Sequence, residues 1–79
     1  MVMGTLWLLK KTDIPHAYID KEDTVVLIQD AVIKLPTKPN WFVCKDDAEA
    51  RKIKVPPEKC ITYEEIADLI LKADKVVIW

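Results

Sequence analysis

The sequence has very little glycine and very little histidine. One glycine stands among the 79 residues, and His16 is the only histidine. Phosphate-binding and dinucleotide-binding loops need several glycines at fixed spacing, so a single glycine excludes both motifs. A zinc site needs a compact set of ligands, and fifteen residues separate the two cysteines, Cys44 and Cys60. We therefore predict no metal site and no cofactor.

The sequence also lacks an excess of positive charge and a long hydrophobic run. Twelve basic residues are balanced by 13 acidic ones, for a formal net charge of -1. Nucleic-acid-binding proteins show a basic face, so we expect no direct binding of nucleic acid. The apolar run at residues 1–9 is too short to span a membrane and does not have the features of a signal peptide. We expect a cytoplasmic protein with free thiols and no membrane association.

Apolar residues are abundant by contrast, at 51 % of the chain. The length predicts one domain, residues 1–79, which is ordered and globular. Folding a chain this short buries only about 60 % of its surface. We expect the remaining apolar surface to be covered in an oligomer or in a complex with other chains.

Short apolar runs without polar alternation predict strands that are buried on both faces. The predicted strands are residues 5–10, 24–29, 41–44, 60–61 and 75–79. Helical segments separate most of them, and this alternation is typical of a layered α/β fold. We predict a mainly parallel sheet of four or five strands, flanked by short helices, with the strand at 24–29 near its centre.

Two of the predicted helices have recognisable caps. Asp46 or Asp47 is predicted to cap a helix that runs to residue 52. Thr62 and Glu65 have the spacing of a capping box at the start of another helix. Four residues are predicted to form the apolar face of that helix: Ile66, Leu69, Ile70 and Ala73. Shorter helical segments are predicted at residues 14–19, with Ile14, Ala17 and Tyr18 facing the sheet, and at residues 30–34.

The candidate site residues lie where predicted strands end, since ligands and partners collect at the carboxyl ends of parallel strands. Gln29 and Asp30 follow the central strand, where they form a site edge or subunit contact or simply a local turn. Cys44 ends the next strand just before a helix, which favours thiolate formation, although a free cysteine in an apolar strand is commonly a core residue. Trp79 is a candidate interface anchor. His16 has no catalytic partner nearby and is predicted to lie on the surface or at an interface.

Three stretches together resemble the DsrH/TusB family of sulfur-relay proteins. They are DTVVLIQDAV at residues 23–32, WFVCKDDAEAR at 41–51 and ITYEEIADLILKADKVVIW at 61–79, which ends on Trp79. A short first strand and first helix precede them as in the family, so the resemblance covers nearly the whole chain and is weakest at residues 35–40. The resemblance implies a DsrE/F/H-like α/β fold and a role in passing persulfide sulfur between proteins. It also implies partners, namely DsrE/DsrF-like or TusC/TusD-like subunits, and a link to 2-thiolation of the tRNA wobble uridine.

The sequence departs from this family at two places. The family usually has Gln-Asp-Gly-Val where this chain has Ala31 in place of the glycine, so this position must take ordinary backbone angles. The DsrH type carries a sulfur-accepting cysteine in its first helix, and the matching region around Pro15 and His16 has no cysteine. The resemblance therefore favours a structural or regulatory subunit without catalytic activity of its own.

Three hypotheses stay open on the sequence. The first is a structural or regulatory subunit of a sulfur-relay complex. The second is a persulfide carrier in which Cys44 accepts and donates sulfur. The third is a self-associating interaction domain without sulfur chemistry.

Overall fold

A computed structural model describes residues 3–34 and 39–79. The five strands are β1 (Met3–Leu9), β2 (Thr24–Leu27), β3 (Trp41–Cys44), β4 (Cys60–Ile61) and β5 (Ala73–Ile78). The two α-helices are α1 (Lys45–Ala50) and α2 (Tyr63–Lys72). Three 3₁₀ turns lie at His16–Tyr18, Gln29–Lys34 and Pro57–Lys59. Part of the connection predicted between residues 35 and 40 lies outside the described residues.

The strands form one parallel sheet in the order β4-β3-β2-β1-β5. This confirms the predicted α/β fold and places β2 at the centre of the sheet. The strand β1 lies between β2 and β5, and its register pairs Trp7 with Val25 on one side and with Val77 on the other. Because all strands are parallel, the residues that follow β2, β3 and β4 meet at one edge of the sheet.

The two faces of the sheet are covered unequally. The first, here called the α1 face, packs against Ile14 and Ile19, which flank the turn at 16–18, and against the 3₁₀ turn at 29–34, α1 and residues 53 and 55. The second, the α2 face, packs against α2 alone among the described helices. The buried residues of the α1 face are Trp7, Leu9, Val25, Leu27, Ala31, Val32, Trp41, Val43 and Ala48. Those of the α2 face are Leu6, Leu8, Val26, Cys44, Ile61 and Ile66.

The first predicted helix is only a three-residue 3₁₀ turn. Ile14 and Ile19 pack on the sheet as partly buried residues, but Ala17 is exposed and the side chain of Tyr18 is 74 % exposed. The expectation that Ala17 and Tyr18 face the sheet was therefore wrong. A single turn after Pro15 is too short to present a continuous apolar face, so only the residues flanking it reach the core.

The cap predicted for α1 was also wrong. Cys44 is the N-cap residue and makes no side-chain cap hydrogen bond, while Asp46 and Asp47 lie in the first turn. The helix ends at Ala50 rather than at residue 52, and Lys52 follows with a φ of 55°. Acidic side chains in the first turn still suit the helix dipole.

The capping box of α2 is confirmed. The side-chain oxygen of Thr62 accepts a hydrogen bond from the backbone N–H of Glu65 at 3.2 Å, and the Glu65 carboxylate accepts from the N–H of Thr62 at 3.2 Å. Ile66 is buried and Leu69 packs on the α2 face, but Ile70 is 40 % exposed. Ala73 is the C-cap residue that closes α2 and packs on the α2 face as predicted, and it also begins β5.

Candidate functional site

Three of the predicted site residues meet at the carboxyl-terminal edge of the sheet. Gln29 and Asp30 follow the central strand β2, and Cys44 is the last residue of the neighbouring strand β3. Candidate residues chosen because they follow predicted parallel strands are therefore neighbours in the structure. We call this cluster, together with Asp47 and Tyr63, the Cys44 site.

Asp47 connects the segments of this site. One carboxylate oxygen of Asp47 accepts a hydrogen bond from the backbone N–H of Gln29 at 2.8 Å. The other accepts from the hydroxyl of Tyr63 at 3.2 Å. Asp47 on α1 therefore holds both the chain leaving β2 and the first turn of α2. The sequence predicts Asp46 or Asp47 as a helix cap, whereas the side chain of Asp47 bonds two other segments.

The turn after β2 has an unusual backbone at Gln29. Its φ is 50°, in the left-handed region that ordinary residues seldom adopt. The hydrogen bond from its N–H to Asp47 holds this conformation. Ala31 lies in the following 3₁₀ turn and does not have a positive φ, as expected for an alanine at that position. The residue with unusual angles is therefore two positions before the alanine.

Asp30 forms an ion pair at the rim of the site. Its carboxylate lies 3.2 Å from the guanidinium of Arg51 at the end of α1, and its side chain is 72 % exposed. An exposed pair of this kind contributes about 0–1 kcal/mol. The Asp30 carboxylate therefore lies at the exposed rim of the site.

The thiol of Cys44 is fully buried in the core of the α2 face. Burial raises the pKa of this thiol, and the negative charge of Asp47 adds to the effect. The backbone N–H groups of Asp47 and Asp46 and the hydroxyl of Tyr63 act in the opposite direction by stabilising the thiolate. The raised pKa means that burial outweighs these contacts, so the thiol is protonated at neutral pH. A protonated, buried thiol is a poor nucleophile.

Tyr63 was not singled out in the sequence. It is the first residue of α2 and directly follows the cap Thr62, so its position just beyond β4 carried a usable signal. The pKa of Tyr63 is raised to about 12, first by its hydrogen bond with Cys44 and then by the charges of Cys44 and Asp47. The phenol therefore stays protonated at physiological pH and serves as a hydrogen-bond donor.

Trp79 does not belong to the Cys44 site. It follows β5, which is separated from β3 by both β1 and β2. Its backbone continues the pairing with β1, because its N–H donates to the carbonyl of Leu8 and its carbonyl accepts from Lys10, both at 2.9 Å. Its indole N–H donates to the carbonyl of Asp13 at 2.9 Å. The ring lines a separate open cleft of about 620 Å³ with Trp7 and Tyr18.

Cys60 and His16 lie in separate surroundings. The sulfur of Cys60 lies 3.8 Å from the carbonyl oxygen of Val55, and the residue borders an open cleft of about 680 Å³. Cys44 and Cys60 are both free thiols. They lie on opposite faces of the sheet, because Cys44 pairs in register with Ile61 and successive residues of a strand alternate between faces. His16 is exposed and stacks on Trp41 with ring centroids 5.7 Å apart, consistent with a surface position.

No group of three or more potential metal ligands occurs within residues 3–34 and 39–79. In the same part of the chain no helix has the length and apolarity required to cross a bilayer. Searches against protein families, curated proteins and solved structures found no match to this chain.

Proposed function

We propose that this chain is a subunit of a sulfur-relay assembly that binds partner chains and does not itself carry sulfur. The proposal starts from the resemblance of three stretches, which cover β2, β3, β5 and both α-helices, to the DsrH/TusB family. The assembly would serve 2-thiolation of the tRNA wobble uridine or a related transfer of persulfide sulfur. The partners are DsrE/DsrF-like or TusC/TusD-like subunits.

The state of Cys44 is the observation that carries the non-catalytic role. A persulfide carrier needs a thiolate that can attack an incoming sulfur atom. The Cys44 thiol is buried among Leu6, Leu8 and Val26, and its pKa is raised by that burial. A core role accounts for both properties without any sulfur chemistry.

Exposed apolar side chains support the partner-binding part of the proposal. Ile70 and Leu71 on α2 are 40 % and 83 % exposed, and Ile78 on β5 is 63 % exposed. All three belong to the elements that form or border the α2 face. Large apolar side chains in neighbouring elements are typical of surfaces that bind other proteins.

A binding experiment separates this proposal from its alternatives. The chain and its Cys44→Ala/Cys60→Ala double variant would each be mixed with purified TusC/TusD-like or DsrE/DsrF-like subunits, and the complexes sized by light scattering. We expect both forms to enter a complex of the same mass and stoichiometry. Binding that is lost only in the cysteine-free variant would favour the Cys44 carrier. Absence of any complex with these subunits would leave the self-associating interaction domain.

A matched surface variant makes the experiment specific. Leu71→Glu places a charge on a side chain that is 83 % exposed, so the fold should be unaffected. Ile33→Glu does the same at a side chain that is 57 % exposed, in the turn that follows β2. We expect Leu71→Glu to weaken the complex and Ile33→Glu to leave it unchanged. The opposite ranking would contradict the assignment of the α2 side as the partner surface.

A further inference from the structure

The outer edge of β5 has backbone groups without a partner in the described part of the chain. This strand pairs only with β1 and ends the sheet on that side. Its six residues include no proline and no residue with a positive φ. An edge strand of this length is a template for pairing with another strand.

The direction of these backbone groups follows from the hydrogen bonds of Trp79. Its N–H donates to Leu8 and its carbonyl accepts from Lys10, so both groups point toward β1. In a parallel strand, alternate residues direct both backbone groups to the same side. Val77 and Lys75 therefore also point toward β1. The N–H and carbonyl groups of Asp74, Val76 and Ile78 point outward, away from the sheet.

We propose that β5 pairs in antiparallel fashion with β5 of a second copy of this chain, with Val76 on the two-fold axis. This inference does not depend on the proposed sulfur-relay role. In an antiparallel pair, hydrogen-bonded residues must both point toward the partner strand. Only registers that match Asp74, Val76 and Ile78 with one another satisfy that condition.

Charge selects one of these registers. With Val76 opposite Val76, Asp74 lies opposite Ile78, and every outward-facing residue has a partner. In this register Lys75 lies opposite Val77, so no two like charges are directly opposed. Shifting the strands by two residues in one direction places Lys75 opposite Lys75, which is unfavourable. Shifting them in the other direction pairs Val76 with Ile78 only, so fewer of the outward-facing residues within β5 are matched with one another.

The side chains along this seam agree with the register. Val76 packs with the α2-face core and Val77 with the α1-face core, so Val76 and Ile78 share one face of the sheet. In the pair, Ile78 lies against the second strand, directly opposite Asp74 and diagonal to Val76 of the second copy. This contact covers an isoleucine that is 63 % exposed in the single chain.

The charges around Lys75 are balanced on its own face of the sheet. Two copies of Lys75 come diagonal to each other across the seam. Asp20, Asp23 and Lys75 border the same cleft, so the surface around Lys75 carries charges of both signs. A second copy therefore meets a surface without excess charge of one sign.

The first test measures molar mass over a concentration series, by sedimentation equilibrium. We expect the wild-type chain to reach twice its single-chain mass of 9.1 kDa as concentration rises. Val76→Pro removes the outward N–H of residue 76 but leaves the hydrogen bonds between β5 and β1 in place. We therefore expect this variant to keep the single-chain mass at every concentration. The matched control Val76→Ala keeps that N–H and should still dimerise. A wild-type chain that stays at the single-chain mass would overturn the proposal.

The second test does not depend on how well the proline variant folds. In a Cys60→Ala background, Val76→Cys places a thiol on the two-fold axis, at a Cα separation of about 5.5 Å that a disulfide can bridge. Lys75→Cys places the thiol opposite Val77 instead. Under mild oxidation we expect a covalent dimer from Val76→Cys and much less from Lys75→Cys. Faster cross-linking of Lys75→Cys, or none in either variant, would contradict the register.

Discussion

The α1 face and the α2 face of the sheet differ in how completely other segments cover them. Several segments cover the α1 face, where Leu9, Val25, Leu27 and Val43 are completely buried. A single ten-residue helix covers the α2 face, which has six buried core residues among those described, against nine on the α1 face. The contrast suggests that the α1 face supplies most of the stability, while the α2 side and the β5 edge supply surface for other chains.

The largest expected effect on the free energy of unfolding comes from a pair of alanine substitutions, one on each face of the sheet. Leu9→Ala removes a fully buried side chain from the α1 face, and Leu69→Ala removes a partly buried one from the α2 face. We expect about 3 kcal/mol less free energy of unfolding for Leu9→Ala and about 1 kcal/mol less for Leu69→Ala, since the cost follows burial. Urea unfolding followed by circular dichroism measures both, and equal losses would contradict the comparison.

The capping box of α2 gives the next effect. Thr62→Ala removes the side-chain acceptor for the N–H of Glu65 and should lower the free energy of unfolding by about 1 kcal/mol. Thr12→Ala, at an exposed position outside the helices, is the matched control and should change it by less than about 0.5 kcal/mol. If the two variants unfold at the same urea concentration, the capping box does not stabilise α2.

The Cys44 thiol predicts a dependence of stability on pH. Its pKa is raised in the folded chain, so at pH values above the ordinary range of a thiol the unfolded chain releases this proton more readily than the folded one. This contribution to stability is therefore fully present at neutral pH and is lost as the pH rises through the folded-state pKa. Between neutral and alkaline pH, the free energy of unfolding measured in urea should fall less for Cys44→Ala than for the wild type. An identical pH dependence in both would contradict the burial of this thiol.

Tyr63 gives the smallest expected effect on stability. Its hydroxyl bonds Asp47 at an exposed position, so Tyr63→Phe should change the free energy of unfolding by less than about 0.5 kcal/mol. The phenol itself should titrate near pH 12, seen as the tyrosinate absorbance that Tyr63→Phe removes. An absorbance change already complete near the ordinary value for tyrosine would show that Tyr63 does not contact Cys44 and Asp47.

Apolar patterning was sufficient to predict the sheet. Unbroken runs such as Val25–Val26–Leu27 occur only where both faces of a strand are buried, and the all-parallel sheet confirms this reading. Gln29, Asp30 and Cys44 were located together because the carboxyl ends of adjacent parallel strands share one edge. Local patterns failed where tertiary contacts decide: the exposure of Tyr18 and the side-chain contacts of Asp47 depend on neighbours distant in the sequence.

The roles of Asp47 and Tyr63 could not be read from spacing alone. Their hydroxyl–carboxylate contact joins α1 to α2 across sixteen positions of sequence. Trp79 was placed among the candidate binding residues, yet β1 and β2 separate its strand from Cys44. Strand order in the sheet, which a single sequence does not reveal, decides which strand ends become neighbours.

A persulfide-transfer assay tests the central claim most directly. The native chain would be incubated with a cysteine desulfurase and cysteine, and its intact mass measured beside that of the Cys44→Ala and Cys60→Ala variants. We predict no added sulfur on Cys44. We also expect Cys44 to react slowly with an alkylating reagent in the folded chain and rapidly after unfolding. An adduct with the mass of one sulfur atom that disappears only in Cys44→Ala would contradict the account and make this chain a sulfur carrier.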